Sequence, residues 1–167
     1  MTGEIVNIWI KRAHGGVMDR VESAEAIAGR GLMGNADQGR RRQVTIIDEA
    51  AWREAAAETG ADVDPSKRRA NVMLRGIPLA ESRGKLLRLG DCLMRILGET
   101  RPCEQMEEAQ AGLRKALRPN WRAGVFGEIV EGGAIRVGDS AEFVQGDLFH
   151  AENAEKRREP ASVERTK

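Results

Sequence analysis

Twice along this chain an apolar, strand-like run meets a Gly-Asp pair and a second such run follows. Leu87-Arg88-Leu89-Gly90-Asp91 leads into Cys92 to Leu97, and Ile135-Arg136-Val137-Gly138-Asp139 leads into Ser140 to Val144. Glycine reaches the positive φ that tight turns need, and aspartate closes turns with its side chain, so each pattern predicts a β-hairpin. Gly132-Gly133 supplies another tight turn after the strand Gly127 to Glu131. Further runs rich in β-branched residues lie at Glu4 to Ile10, Gln43 to Ile47 and Asn71 to Leu74. Many short strands broken by glycine turns predict a mainly β fold with a few short helices. A closed or partly open β-barrel is preferred to a sandwich.

Two helices are expected among the strands. Asp48 caps one that runs to about Thr59, with Glu49 in its first turn and Gly60 in the stop position. The second is expected from about Glu104 to Leu117, ended by Pro119. Its start carries Glu104, Glu107 and Glu108 and its end Arg114, Lys115 and Arg118, which complements the helix dipole at both termini. Between Gly29 and Arg42 lies a loop rich in Gly, Asn, Asp and Gln, too long for a plain connector. A chain of 167 residues has room for one sizeable core and not for two. Residues 1–145 are read as that domain, and residues 146–167, almost all charged or small, as a disordered tail.

No apolar run approaches the roughly 20 residues of a membrane helix. Met1 to Ile10 carries Glu4 and Asn7 where a signal peptide needs a basic start and an apolar centre. A soluble cytoplasmic protein with no membrane partner is therefore expected. Lys and Arg total 27 against 26 Asp and Glu, a net charge of +1, and there is no tyrosine, so a nucleic-acid partner is not expected. Within that balance 21 of the 27 basic residues are arginine, the side chain that grips carboxylate or phosphate with two parallel hydrogen bonds.

Two cysteines in such a chain argue against a disulfide, and two histidines leave little for a Cys/His zinc site. Cys92 sits inside a strand among apolar neighbours and reads as core. Cys103 is different. It follows Arg101-Pro102 and precedes the second helix, so a nearby cation and a helix N-terminus favour a charged sulfur, while Glu104 works against it. Pro102 fixes the backbone on the approach. Such a thiol serves as a nucleophile, a persulfide carrier or a soft metal ligand; the plain alternative is a small buried hydrophobe. Four arginine segments stand at loop-to-strand junctions: Arg40-Arg41-Arg42-Gln43, Arg68-Arg69-Ala70-Asn71, Arg101, and Arg122-Ala123-Gly124. Their shared placement predicts an anion site at a barrel mouth, against the alternative of solvated charge runs. Arg69 and Asn71, two apart, face the same side of an extended segment. The loop Gly31 to Gly39 lets backbone approach a ligand closely, yet it is neither a phosphate-binding P-loop nor a dinucleotide fingerprint.

Together, Gly31 to Gly39, Arg42-Gln43-Val44-Thr45, Arg69-Ala70-Asn71, Gly76-Ile77, the two Leu/Ile-Arg-Leu/Val-Gly-Asp runs and Arg101-Pro102-Cys103 resemble the MOSC domain. This domain forms the C-terminus of molybdenum cofactor sulfurases and also occurs as stand-alone bacterial proteins. The resemblance runs from about Glu4 to Val144. It implies a barrel related to that of pyruvate kinase, with a molybdenum-pterin cofactor at its mouth. By it, Cys103 corresponds to the family's invariant cysteine, which ligates molybdenum or carries sulfur for it. Arg42, Arg69, Asn71 and Arg122 would line the site with Arg101 and hold the pterin phosphate. Where many relatives have Gly-Asp-x-His, this chain has Gly34-Asn35-Ala36-Asp37; where eukaryotic amidoxime-reducing members place a serine, it has Arg101; and Arg-Gly-Gly becomes Arg122-Ala123-Gly124. The pyridoxal-phosphate domain of full-length sulfurases is absent, so pyridoxal phosphate is not expected.

The resemblance implies an enzyme that reduces N-hydroxylated bases or similar small molecules at a cysteine-ligated molybdenum centre, with an external protein as electron donor. Two other readings stand beside it. One is a non-catalytic carrier of the cofactor, or of sulfur on Cys103. The other is a phosphate- or RNA-binding barrel with an inert cysteine.

Overall fold

The computed structural model describes residues 1–36 and 38–144, so the expected tail over 146–167 lies outside the described residues. The chain forms β1 (Thr2–Lys11), β2 (Met18–Val21), β3 (Ser23–Ile27), β4 (Gly31–Leu32), β5 (Val44–Asp48), helix α1 (Glu49–Thr59) and a 3-10 turn at Pro65–Arg68. There follow β6 (Val72–Arg75), β7 (Leu86–Leu89), β8 (Cys92–Glu99), α2 (Glu104–Ala109), α3 (Leu113–Ala116), β9 (Val125–Glu131), β10 (Gly133–Arg136) and β11 (Ser140–Val144).

Seven strands close into a barrel in the order β11-β7-β8-β9-β5-β6-β1, with β1 pairing back to β11 through Thr2↔Glu142, Gly3↔Ala141 and Glu4↔Ser140. An odd ring cannot be antiparallel throughout, because strand direction must return to itself after one circuit. One parallel pair resolves the conflict, and β5 with β6 is that pair. Parallel neighbours need a crossover connection in place of a hairpin. Here α1 and the 3-10 turn supply it, and both strand starts fall at one end of the barrel.

Alternation fills the interior. Val44 and Ile46 of β5, Val72 and Leu74 of β6, Leu87 and Leu89 of β7, and Cys92, Met94 and Ile96 of β8 all join one buried cluster. In β1 the inward residues Ile5, Ile8 and Ile10 are not evenly spaced. A bulge between Ile5 and Asn7 absorbs the extra residue, so all three still point inward while Trp9 packs outside against Ile47, Ala70 and Met73. Cys92 is fully buried, and burial pushes its thiol up to about 12, as core packing requires. Outside the barrel Trp52, Ala55 and Ala56 of α1 pack against Met106, Leu113, Leu117 and Ala123. Asp48 caps α1 by accepting from Ala50 N at 3.1 Å, and Gly60 ends it at φ +76°.

Two expectations are corrected. The Gly90-Asp91 turn does join antiparallel β7 and β8, but the Gly138-Asp139 turn makes no hairpin. Strand β10 pairs with β3 in a separate three-stranded sheet, and β11 pairs with β7 and β1. The turn itself is tight, with Asp139 N donating to Arg136 O at 3.0 Å, and its backbone docks on Ile5 of β1. It therefore carries the chain from one sheet to another. The second helix is broken in two, since Gln110 is extended and Gly112 adopts φ +86°. The break turns Leu113 and Leu117 onto the Trp52 cluster.

Candidate functional site

A cleft of about 470 Å³ opens where the crossover meets the ends of β1 and the loop after β8. Arg40, Arg42, Gln43 and Thr45 reach it from the approach to β5 and its first turn, Arg68, Arg69 and Asn71 from the crossover before β6, and Arg101 and Cys103 from the loop after β8. Lys11 of β1 and Asn35 of the glycine-rich loop complete the lining used below. Six cations thus share one concavity: Lys11, Arg40, Arg42, Arg68, Arg69 and Arg101. No described residue lining it is a carboxylate. In a chain with a net charge of only +1, this concentrates positive potential where low-dielectric walls strengthen it.

Arg68 is the buried member. It is 8% exposed and donates Nε to Ala123 O and Nη2 to Thr100 Oγ1, both at 2.8 Å. These bonds tie the crossover to the start of β9 and to the loop that carries Cys103. Nη1 has no partner, and no carboxylate pairs with the side chain, among the described residues. Burial first, and then neighbouring Arg42, push this guanidinium down to about 10, while Cys103 acts in the opposite direction. It remains charged at neutral pH. Arg68 is therefore a buried cation without a counter-ion, an arrangement that becomes favourable when an anion enters.

Arg69 holds a left-handed backbone at φ +62°, ψ +35°, unusual for a non-glycine residue, and donates Nη2 to Gly16 O at 2.7 Å. Arg42 lies over the ring of Phe126 at 5.7 Å from its centroid, which fixes the guanidinium plane. Arg40 and Arg101 form no hydrogen bond or ion pair with any described residue. Cys103 is exposed, immediately before α2, on extended backbone at φ −116°, ψ −175°. Its Sγ lies 3.8 Å from Gln105 Oε1. The alternative of a small buried hydrophobe at Cys103 is thereby removed.

Of the predicted site residues, Arg42, Arg69, Asn71, Arg101 and Cys103 converge on the cleft and Arg122 does not. Arg122 bonds Glu58 and the carbonyl of Ala116, with Glu54 at 3.7 Å, and so fastens α1 to α3. Two carboxylates of α1, far away in sequence, capture it. Asn71 lines the cleft but its amide is occupied. It donates to Trp9 O at 3.2 Å and Asn35 Oδ1 at 3.1 Å, and accepts from Thr45 N at 3.1 Å. Its role is to hold β1, β5 and the glycine-rich loop in register beneath the cations. Sequence reasoning named Arg68 and Arg40 as members of the anion-binding segments but singled out Arg69 and Arg42 within them, and it passed over Lys11. The doubled arginine was visible; that its first member is the buried one depends on the fold. Ala123, where the family pattern has glycine, packs into the helical cluster, whereas Gly124 at φ +107° has no room for a side chain.

Among the described residues no group of three or more His, Cys, Asp or Glu side chains could hold a metal ion. Within the lining Cys103 offers one soft donor, and the six cations beside it suit an anionic ligand. The donor set fits a soft metal carried by an anionic organic group.

The MOSC domain family model matches residues 11–142. No curated protein gives a significant sequence match to this chain. Solved structures with a similar fold include the YuaD protein from Bacillus subtilis, 21% identical with a TM-score of 0.71, the match covering 84% of this chain and 94% of that one. YiiM from Geobacillus stearothermophilus is 15% identical with a TM-score of 0.68, covering 86% and 75%. YiiM from Escherichia coli is 15% identical with a TM-score of 0.66, covering 87% and 70%.

Proposed function

Because the chain belongs to the MOSC domain family, we propose that its cleft binds a molybdenum-pterin cofactor and that the loaded protein reduces N-hydroxylated bases or similar small molecules, an external protein supplying the electrons. The observation that carries this reading is the meeting of one exposed thiol with six cations in a cleft without a described carboxylate.

Each residue then has a task. Cys103 offers a soft sulfur ligand on a backbone held by Pro102 and by its own carbonyl, which accepts from Met106 N at 2.9 Å. Arg68, Arg69, Arg42 and Arg101 hold the pterin phosphate, with Arg68 fixed in advance by its two bonds, so little side-chain entropy is lost on binding. Asn71 and Asn35 keep the floor rigid. When bound, the cofactor supplies a two-electron couple at its metal; the protein supplies binding, orientation and charge.

The test is the molybdenum content of anaerobically purified protein, wild type beside Cys103→Ala. Cys103 is exposed with a single weak contact, so its replacement leaves the fold intact, which circular dichroism checks. Molybdenum should be present in the wild type and lost in the variant. Equal metal in both removes Cys103 as its ligand. Reduction of a hydroxylamino-purine by loaded protein with an electron donor separates an enzyme from a carrier.

A further inference from the structure

A second basic pocket adjoins the first. Its volume is about 530 Å³, and Glu99, Arg101, Pro102, Arg114 and Arg118 line it. Arg101 stands in the walls of both cavities, and the segment Arg101-Pro102-Cys103 forms the partition between them. Three guanidinium groups face one carboxylate here.

Arg114 and Arg118 are four residues apart on consecutive helical backbone, a spacing at which like charges repel. Arg114 has one acidic partner, Glu104, at 2.8 Å from Nη1, and its Nε is buried without an acceptor. The side chains of Arg118 and Arg101 have no hydrogen bond or ion pair with any described residue. An arrangement that gathers three cations in a concavity and leaves two of the side chains unpaired among the described residues suits an oxyanion with several acceptor oxygens. Because the pocket shares a wall with the cleft, the oxyanion and the group in the cleft can belong to one molecule.

We propose that this pocket takes the phosphate of a phosphate ester whose other end lies in the cleft. The proposal rests on the cleft reading above. The shared chemistry is a phosphate or diphosphate group, carried either by a nucleotide-like substrate or by a nucleotide-bearing form of the pterin.

The test titrates inorganic pyrophosphate into the full-length, metal-free protein by calorimetry. Wild type should bind two equivalents. Arg114→Ser/Arg118→Ser should bind one, with at least tenfold loss at the missing site, and Arg68→Met, altered only in the cleft, should keep the other. Arg118→Ser alone, at an exposed position, serves if the double variant melts early. One equivalent in wild type, unchanged in the double variant, overturns the second pocket and leaves the cleft reading standing. Loss of molybdenum dependence on Cys103 with two equivalents retained overturns the cleft reading and leaves two anion sites. A nucleoside 5′-monophosphate that binds wild type at least tenfold more tightly than the double variant assigns the group to substrate. A nucleotide released at one per molybdenum from loaded wild type, and absent from the loaded variant, assigns it to the cofactor.

Discussion

Replacing Arg68 with methionine should leave the fold nearly as stable as before and remove most of the cleft's response to anions. At pH 7 the buried charge stands well below its lowered value of about 10. Holding it protonated in the fold therefore costs on the order of 3 kcal/mol relative to a free arginine. The sign follows from the depression: the unfolded chain binds this proton more tightly, so stability climbs only as pH rises through about 10, and at neutral pH the full cost is present. Against it stand two charge-assisted hydrogen bonds of about 1.5–3 kcal/mol each. Methionine gives up cost and bonds together. It orphans no acceptor, because Ala123 O keeps the Thr100 hydroxyl at 2.7 Å. The terms should offset to within about 2 kcal/mol. An anion beside Arg68 recovers up to about 3 kcal/mol in the wild type, which raises Tm by roughly 6–12 °C for a domain of this size. The assay is thermal unfolding at pH 7 in sodium chloride and in pyrophosphate at equal ionic strength. Wild type should rise in pyrophosphate, and Arg68→Met should lose most of that rise. A variant destabilised by 4 kcal/mol or more, beside a wild type indifferent to pyrophosphate, would make Arg68 a structural strut and refute the reasoning.

Three further outcomes follow from positions already described. Gly124→Ala places a Cβ 2.2 Å from Ile46 O at a φ of +107°, so it should destabilise by about 2–4 kcal/mol in urea unfolding, while Ala123→Gly stays within about 1 kcal/mol. Arg122→Ala should leave pyrophosphate binding unchanged in calorimetry and lower stability by about 1–2 kcal/mol, since its partners are Glu58 and Ala116 O, outside the cleft. Glu49 is held below the usual carboxylate range by its hydrogen bonds to Arg75, at 2.8 and 3.0 Å. Its contribution is present above the usual carboxylate value and lost as pH falls through the lowered one, so Glu49→Gln should flatten the acid limb of a stability-against-pH curve.

Barrel strands such as β5, β7 and β8 were legible as apolar runs set off by glycine turns. Val44/Ile46, Leu87/Leu89 and Cys92/Met94/Ile96 declare an inner face without reference to partners. The small sheet of β3, β4 and β10 was not. Ser23–Ile27 is short and half polar, and the run Ile135 to Asp139 carries the same local turn signal as Leu87 to Asp91 while pairing elsewhere. Local chemistry specifies a turn; which strand lies beside the next is decided by distant contacts. The site divides in the same way. The arginine segments and Cys103 were found from residue type and junction placement, and Arg42 and Arg69 were singled out within those segments by the family resemblance. The burial of Arg68 depends on Thr100 and Ala123, and the capture of Arg122 on Glu58, all far away in sequence.

Closure of the ring by the first and last barrel strands has a consequence during synthesis. The edge presented by Thr2, Gly3 and Glu4 stays unpaired until Ser140 to Glu142 leave the ribosome, on the order of ten seconds later at typical elongation rates. Throughout that delay the Thr2–Glu4 end of β1 stands open to other chains, while β2 already covers its Ile8–Lys11 end. A transcript cut short before codon 140 would release a protein that cannot seal itself, and its natural fate is aggregation or capture by a chaperone.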